Sequence, residues 1–167
     1  MPKPYKFIKF LQKKHRKNNE SVRKYVADKQ KKFQEAKEMR ENLNWAVLGT
    51  GVIANEMAQA LQKMGKSLYA VGNRTHQKAV DFAEKYGVGK VYDQIDDMFE
   101  DENVDIIYIT SPHNTHYAFM KKALQHGKHL LVEKSITLNS RELDQMIALA
   151  QEKNLILAEA MTIWHMP

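Results

Sequence analysis

Two closely spaced glycines in Leu48-Gly49-Thr50-Gly51-Val52-Ile53-Ala54 stand between a short apolar run and a helix-patterned segment. One glycine lets a backbone turn tightly, and the next lets it come close to a pyrophosphate. A small third residue, here Ala54, lets helix and strand pack. The helix start behind the turn offers unpaired N–H groups to an anion. The chemistry this suggests is phosphate binding by Gly49, Thr50, Gly51, Val52 and Ile53; the bland alternative is an ordinary tight turn. Downstream, Gly72-Asn73-Arg74-Thr75 follows the next apolar run, and no Asp or Glu occurs between Glu56 and Asp81. The carboxylate that would grip a ribose diol about 20 residues past the glycines is therefore missing. A planar arginine suits a 2′-phosphate instead. Arg74, with Asn73 and Thr75 as hydrogen-bonding neighbours, points to NADP rather than NAD, unless Arg74 is simply a solvent-facing side chain near a helix start.

Two further loops carry polar groups. Thr110-Ser111-Pro112-His113-Asn114-Thr115-His116 follows a run of β-branched and aromatic residues. Pro112 has a fixed φ and no N–H, so it can shape the chain where a nicotinamide ring would pass. The two histidines offer polar contacts, although a zinc site would need more ligands than this spacing supplies. The alternative is a surface helix cap. The last loop is Glu133-Lys134-Ser135, after the apolar stretch 129–132. A lysine at the end of an interior parallel strand is poorly explained by packing. It can donate a hydrogen bond to a substrate hydroxyl or carbonyl during hydride transfer, stabilising developing charge on oxygen. Glu133 can pair with it or meet a cofactor ribose; the competing account is a strand-end ion pair.

These loops need a frame that brings them together. Hydrophobic periodicity predicts strands at 45–48, 68–71, 91–92, 104–110, 129–132 and 155–158. Helices are expected at 53–64, 75–86, 93–100, 116–125 and 139–153, the second capped by Thr75 and the last opened by the capping box Asn139-Ser140-Arg141-Glu142. Continuous apolar strands alternating with amphipathic helices imply an α/β fold with a doubly wound, Rossmann-type parallel sheet, and the order 3-2-1-4-5-6. Ligands of such sheets lie beyond the carboxyl ends of the strands, where all four loops fall.

Charge divides the 167 residues unevenly. Residues 1–41 hold 14 Lys/Arg against 5 Asp/Glu, although the whole chain is only +6, so the remainder is mildly acidic. The expected organisation is a basic, helical N-terminal extension over 1–41 and a dinucleotide-binding domain over 42–167. The extension interleaves Tyr5, Phe7, Ile8, Phe10 and Leu11 with lysines. That mixture suits a nucleic acid or an anionic membrane surface, but the plainer expectation is a solvated helix without a dedicated partner. The absence of cysteine excludes disulfides and thiolate metal sites and makes a cytoplasmic setting the default. No apolar run reaches membrane-spanning length.

The run 45–167 resembles the N-terminal domain of the Gfo/Idh/MocA oxidoreductases. The motifs that carry the resemblance are the glycine turn, Ile109-Thr110-Ser111-Pro112-His113-Asn114-Thr115-His116, Ala123-Leu124 with Gly127-Lys128-His129, and Val132-Glu133-Lys134. The resemblance implies a nicotinamide cofactor held by Gly49 and Gly51, with Pro112, His116 and Glu133 near the nicotinamide, and Lys134 as the active-site lysine. It implies oxidation of a secondary alcohol of a sugar, polyol or diol, or the reverse reduction, and leaves assembly into a homo-oligomer open. Two residues depart from the family pattern: Ser135 replaces a proline, and His113 stands where many members have asparagine. Family enzymes also continue into a second, substrate-binding domain, so the expectation is half an active site, which binds cofactor and turns over substrate poorly or not at all. The alternative from another class is a non-catalytic nucleotide-binding module directed by the basic extension to an anionic surface.

Overall fold

The computed structural model describes Lys31 and residues 43–161. The expected helix of the N-terminal extension lies outside the described residues, apart from Lys31, which is helical and exposed. From residue 45 the elements alternate: β1 (Trp45–Leu48), α1 (Val52–Lys63), β2 (Ala70–Gly72), α2 (His76–Tyr86), β3 (Lys90–Val91), α3 (Ile95–Glu100), β4 (Ile106–Ile109), α4 (His113–Gln125), β5 (His129–Val132), α5 (Ser140–Glu152) and β6 (Leu157–Glu159). The strands form one parallel sheet in the order β3-β2-β1-β4-β5-β6, the doubly wound order expected from the sequence. No helix among the described residues is long and apolar enough to cross a membrane.

Both faces of the sheet are buried because its strands are apolar at successive positions, and successive side chains point to opposite faces. Ala46, Leu48, Ile107, Ile109, Leu130 and Val132 face one core, packed with Phe99, Met120, Leu124 and Met146. Val47, Val71 and Tyr108 face the other, against Ala54 and Ala58 of α1 and Ala79 and Phe82 of α2. Each fully buried large side chain contributes roughly 1.5–3 kcal/mol. The small Ala54 and Ala58 of α1 share this core with Val47 of β1, and the glycine turn lies at the carboxyl end of β1, an interior strand.

Several boundaries differ from the sequence reading. β4 is shorter than 104–110 because the Val104 N–H turns back to the Asp101 carbonyl at 3.1 Å. β2 is shifted from 68–71 to 70–72. Helix α4 starts three residues earlier than expected, since Pro112 occupies the N-cap and its carbonyl accepts from the Thr115 N–H at 2.9 Å and hydroxyl at 2.6 Å. Thr75 does sit at the N-cap of α2, but its side chain makes no capping bond; instead Asn73 Oδ1 accepts from the Thr75 N–H at 2.9 Å. At α5 Asn139 Oδ1 accepts from the Glu142 N–H at 3.0 Å, and Glu142 Oε2 accepts from the Leu138 N–H at 3.3 Å.

The opposite end of the sheet is fastened by Asp101, whose side chain is 6% exposed. Its carboxylate accepts from Lys90 Nζ and the Tyr92 hydroxyl, each at 2.7 Å, from the Tyr69 hydroxyl at 3.2 Å, and from the Asn103 N–H at 2.9 Å. Its carbonyl takes the buried Lys128 amine at 2.6 Å. Burial alone would raise the Asp101 carboxyl, but donation from Lys90, Tyr92 and Asn103 outweighs it and holds the group well below the usual carboxylate range. A depressed folded-state pKa stabilises above the unfolded value, near about 4, and that stability is lost as pH falls toward the folded value. Asp101→Asn is therefore expected to cost about 2 kcal/mol at pH 7 and to flatten the stability profile below about pH 4. Urea melts between about pH 3 and about pH 7 check both.

Candidate cofactor and active site

The glycine turn is wedged between neighbouring strands. The Gly49 N–H donates to the Gly72 carbonyl at 2.8 Å, and the Thr110 N–H to the Leu48 carbonyl at 2.9 Å. Gly49 has φ +118°, and a Cβ there would lie 2.5 Å from Thr110 Oγ1 and 3.0 Å from the Thr110 carbonyl carbon. At Gly51 a Cβ would meet nothing within 4 Å, so the backbone lies bare. Helix α1 opens at Gly51 with no side-chain cap and no acid in its first turn, so its N–H groups keep their capacity for an anion.

Asn55 organises this turn, and the sequence reading missed it. Its amide donates to the Thr50 carbonyl at 3.2 Å and the Gly51 carbonyl at 2.8 Å. Its Oδ1 accepts from the Tyr86 hydroxyl at 2.7 Å and Lys85 Nζ at 3.0 Å. All four amide positions are used to brace the turn against α2. The available signal was an asparagine one turn into a helix, where that residue type is a poor helix former.

Four strand-end loops enclose a cleft of about 660 Å³. Gly49, Thr50, Gly51 and Ile53 line it from the first loop, and Asn73, Arg74 and Thr75 from the second. Lys78 of α2 lines it as well, a second cation that the sequence reading did not pick out. Asn73 spends its amide on structure, donating to Thr50 Oγ1 at 2.7 Å while holding the Thr75 N–H. The third loop contributes Thr110, Ser111, Pro112 and His113, and the fourth Glu133 and Lys134.

Two of the expected contact residues stand apart from the cleft lining. Val52, the first residue of α1, is 73% exposed. His116 is fully buried behind the wall. Its Nε2 lies 2.8 Å from the Ser111 carbonyl oxygen and its Nδ1 3.1 Å from that of Ser135, so the ring ties the third loop to the fourth. His113, at the start of α4, is the histidine that faces the cleft.

Glu133 and Lys134 are adjacent in sequence, yet they make no ion pair. The Glu133 N–H continues the ladder to the Ile109 carbonyl at 2.9 Å, and in extended chain neighbouring side chains diverge. Glu133 turns to Tyr108, whose hydroxyl donates to its carboxylate. Lys134 lines the cleft with no hydrogen bond or ion pair among the described residues. Beyond it the Lys134–Ser135 peptide is cis, and the Ile136 N–H donates to Glu159 Oε1 at 3.0 Å.

A parallel sheet of this order, with a bare glycine turn where the strand order reverses and a cleft across the strand ends, defines a Rossmann-type dinucleotide-binding domain. Residues 43–161 match the model of the Gfo/Idh/MocA oxidoreductase family, with its NAD-binding Rossmann fold, and the chain belongs to that family. Trans-1,2-dihydrobenzene-1,2-diol dehydrogenase of Xenopus laevis is 32% identical over 119 residues, covering 70% of this chain and 36% of that protein. The mouse enzyme of the same name is 32% identical over 125 residues, covering 73% and 37%. Among solved structures, a 3-ketoreductase from Actinomadura kijaniata in complex with NADP and TDP-benzene superposes with a TM-score of 0.70 at 28% identity, over 75% of this chain and 39% of that one. The chain thus spans a little over a third of the length of the relatives it matches.

Proposed function

We propose that this chain is the cofactor-binding half of an NADP-preferring oxidoreductase that transfers a hydride between the nicotinamide and a secondary alcohol, or the matching ketone, of a sugar, polyol or diol. The observation that carries the reading is the Lys134 amine, unpartnered among the described residues, in the same cleft as a bare glycine turn and two further cations, Arg74 and Lys78. The similarity to a diol dehydrogenase and to a 3-ketoreductase in complex with NADP and TDP-benzene supports the substrate class.

The residues fit a dinucleotide phosphate. The open face of Gly51 and the uncapped start of α1 receive a pyrophosphate, and Arg74 with Lys78 receives a 2′-phosphate. A bound nicotinamide supplies the hydride donor or acceptor. Thr110, Pro112 and His113 shape the wall beside it, and Glu133 meets the adjoining ribose. Lys134 donates a hydrogen bond to the substrate oxygen and stabilises its negative charge. Val52 stays outside this set, and His116 acts by joining two of the loops.

Titration with both reduced cofactors tests the reading. Wild-type protein is expected to bind NADPH more tightly than NADH. Arg74→Ala is expected to weaken NADPH by about tenfold, the value of a charge-assisted contact, and to leave NADH unchanged. Tighter wild-type binding of NADH would remove Arg74 from this role.

A further inference from the structure

Tyr108 is an odd residue for its position. The residue is 6% exposed, and it packs in the core with Val47, Val71, Ala54 and Ala58, where phenylalanine would fill the same space. Its hydroxyl emerges from that core and has a single hydrogen-bond partner among the described residues, the Glu133 carboxylate. The register explains the meeting. Tyr108 in β4 pairs with Leu131 in β5, and Glu133 lies two residues further on, on the same face of the sheet. Both backbones are fixed by the ladder, so two rigid strands deliver the hydroxyl to Glu133, which lines the cleft. One Glu133 oxygen is thereby committed, while the other has no partner among the described residues and is not used by Lys134.

We propose that Tyr108 is a positioning residue: its hydroxyl holds Glu133 in the orientation in which the second carboxylate oxygen meets the ribose of the nicotinamide half of the dinucleotide. The proposal rests on the cofactor reading above. Without the hydroxyl, the Glu133 side chain regains its rotamer freedom, and binding must order it again. Burial, reinforced by the carboxylates of Glu133 and Glu56, pushes the Tyr108 phenol above its ordinary range, so the group remains a donor throughout the working pH range. The division of labour follows from the strand's alternation: Glu133 is anchored from one face, and Lys134 is left for the substrate.

The test compares NADPH with adenosine 2′,5′-bisphosphate, which carries the adenosine end but no nicotinamide ribose. Tyr108→Phe keeps the ring, and thermal melts establish that the variant is folded. It is expected to weaken NADPH by roughly fivefold to tenfold and to leave adenosine 2′,5′-bisphosphate within about twofold. The double variant Tyr108→Phe/Glu133→Ala is expected to bind NADPH no more weakly than Glu133→Ala alone, because the hydroxyl acts only through the carboxylate. Unchanged NADPH binding in Tyr108→Phe, equal weakening of both ligands, or additive losses in the double variant would overturn the proposal. A wild-type protein that binds neither ligand would overturn the cofactor reading itself, and this proposal with it, before any variant is compared.

Discussion

Gly49→Ala is expected to abolish dinucleotide binding and to lower the unfolding free energy by about 2–4 kcal/mol. Two effects combine. At φ +118° an L side chain is strained wherever it points. The added methyl would also lie 2.5 Å from Thr110 Oγ1 and 3.0 Å from the Thr110 backbone carbon. A side chain tip can move aside, but the Thr110 backbone is held by its N–H bond to the Leu48 carbonyl. Relief therefore requires the ends of β1 and β4 to separate, which displaces the turn from its position under the cleft. Gly51→Ala provides the contrast, since its added methyl meets nothing within 4 Å and φ there is −74°. That variant is expected to remain within about 1 kcal/mol of wild type while still obstructing the approach of a pyrophosphate. Denaturant melts paired with NADPH titrations separate the two cases. Wild-type stability in Gly49→Ala would contradict the clash.

Lys134→Met is expected to lower turnover by about 10²–10³-fold while leaving NADPH affinity within about twofold. Methionine preserves length and apolar volume but removes the amine that, under the proposed function, donates to the substrate oxygen. Lys134 makes no hydrogen bond or ion pair among the described residues, so its replacement leaves no buried partner stranded and costs little stability. The loss should fall on kcat and on kcat/KM alike, as for an interaction strengthened in the transition state. The measurement is cofactor reduction by a polyol or diol, made with a form of the protein that turns over a secondary alcohol. A raised KM with unchanged kcat would instead make Lys134 a substrate anchor.

The frame of the site was legible because its signals are local. Apolar strands without breakers, helices closed by Gly87 and Gly127 in left-handed conformations, and the small Ala54 behind the turn led directly to a parallel sheet of the observed order. Placement of the loops at one end then follows from the topology. Residues whose importance depends on packing were not legible. Asn55, Lys78 and Tyr108 gain their places through contacts with a neighbouring helix or strand, and each looks ordinary in the sequence. His116 illustrates the same limit from the other side: its spacing marks the right loop, but only the fold shows both ring nitrogens facing backbone carbonyls. Boundaries moved where a turn competed with the ladder, as at Val104, or where Pro112 opened a helix early.

Under the proposed function the cleft beside Gly49 and Gly51 holds a phosphorylated nicotinamide dinucleotide. Calorimetric titration of the chain with NADPH reads this binding without any need for turnover. The expected result is saturable binding at one site per chain with a Kd at or below about 100 μM. Absence of saturable binding up to about 1 mM NADPH would contradict it.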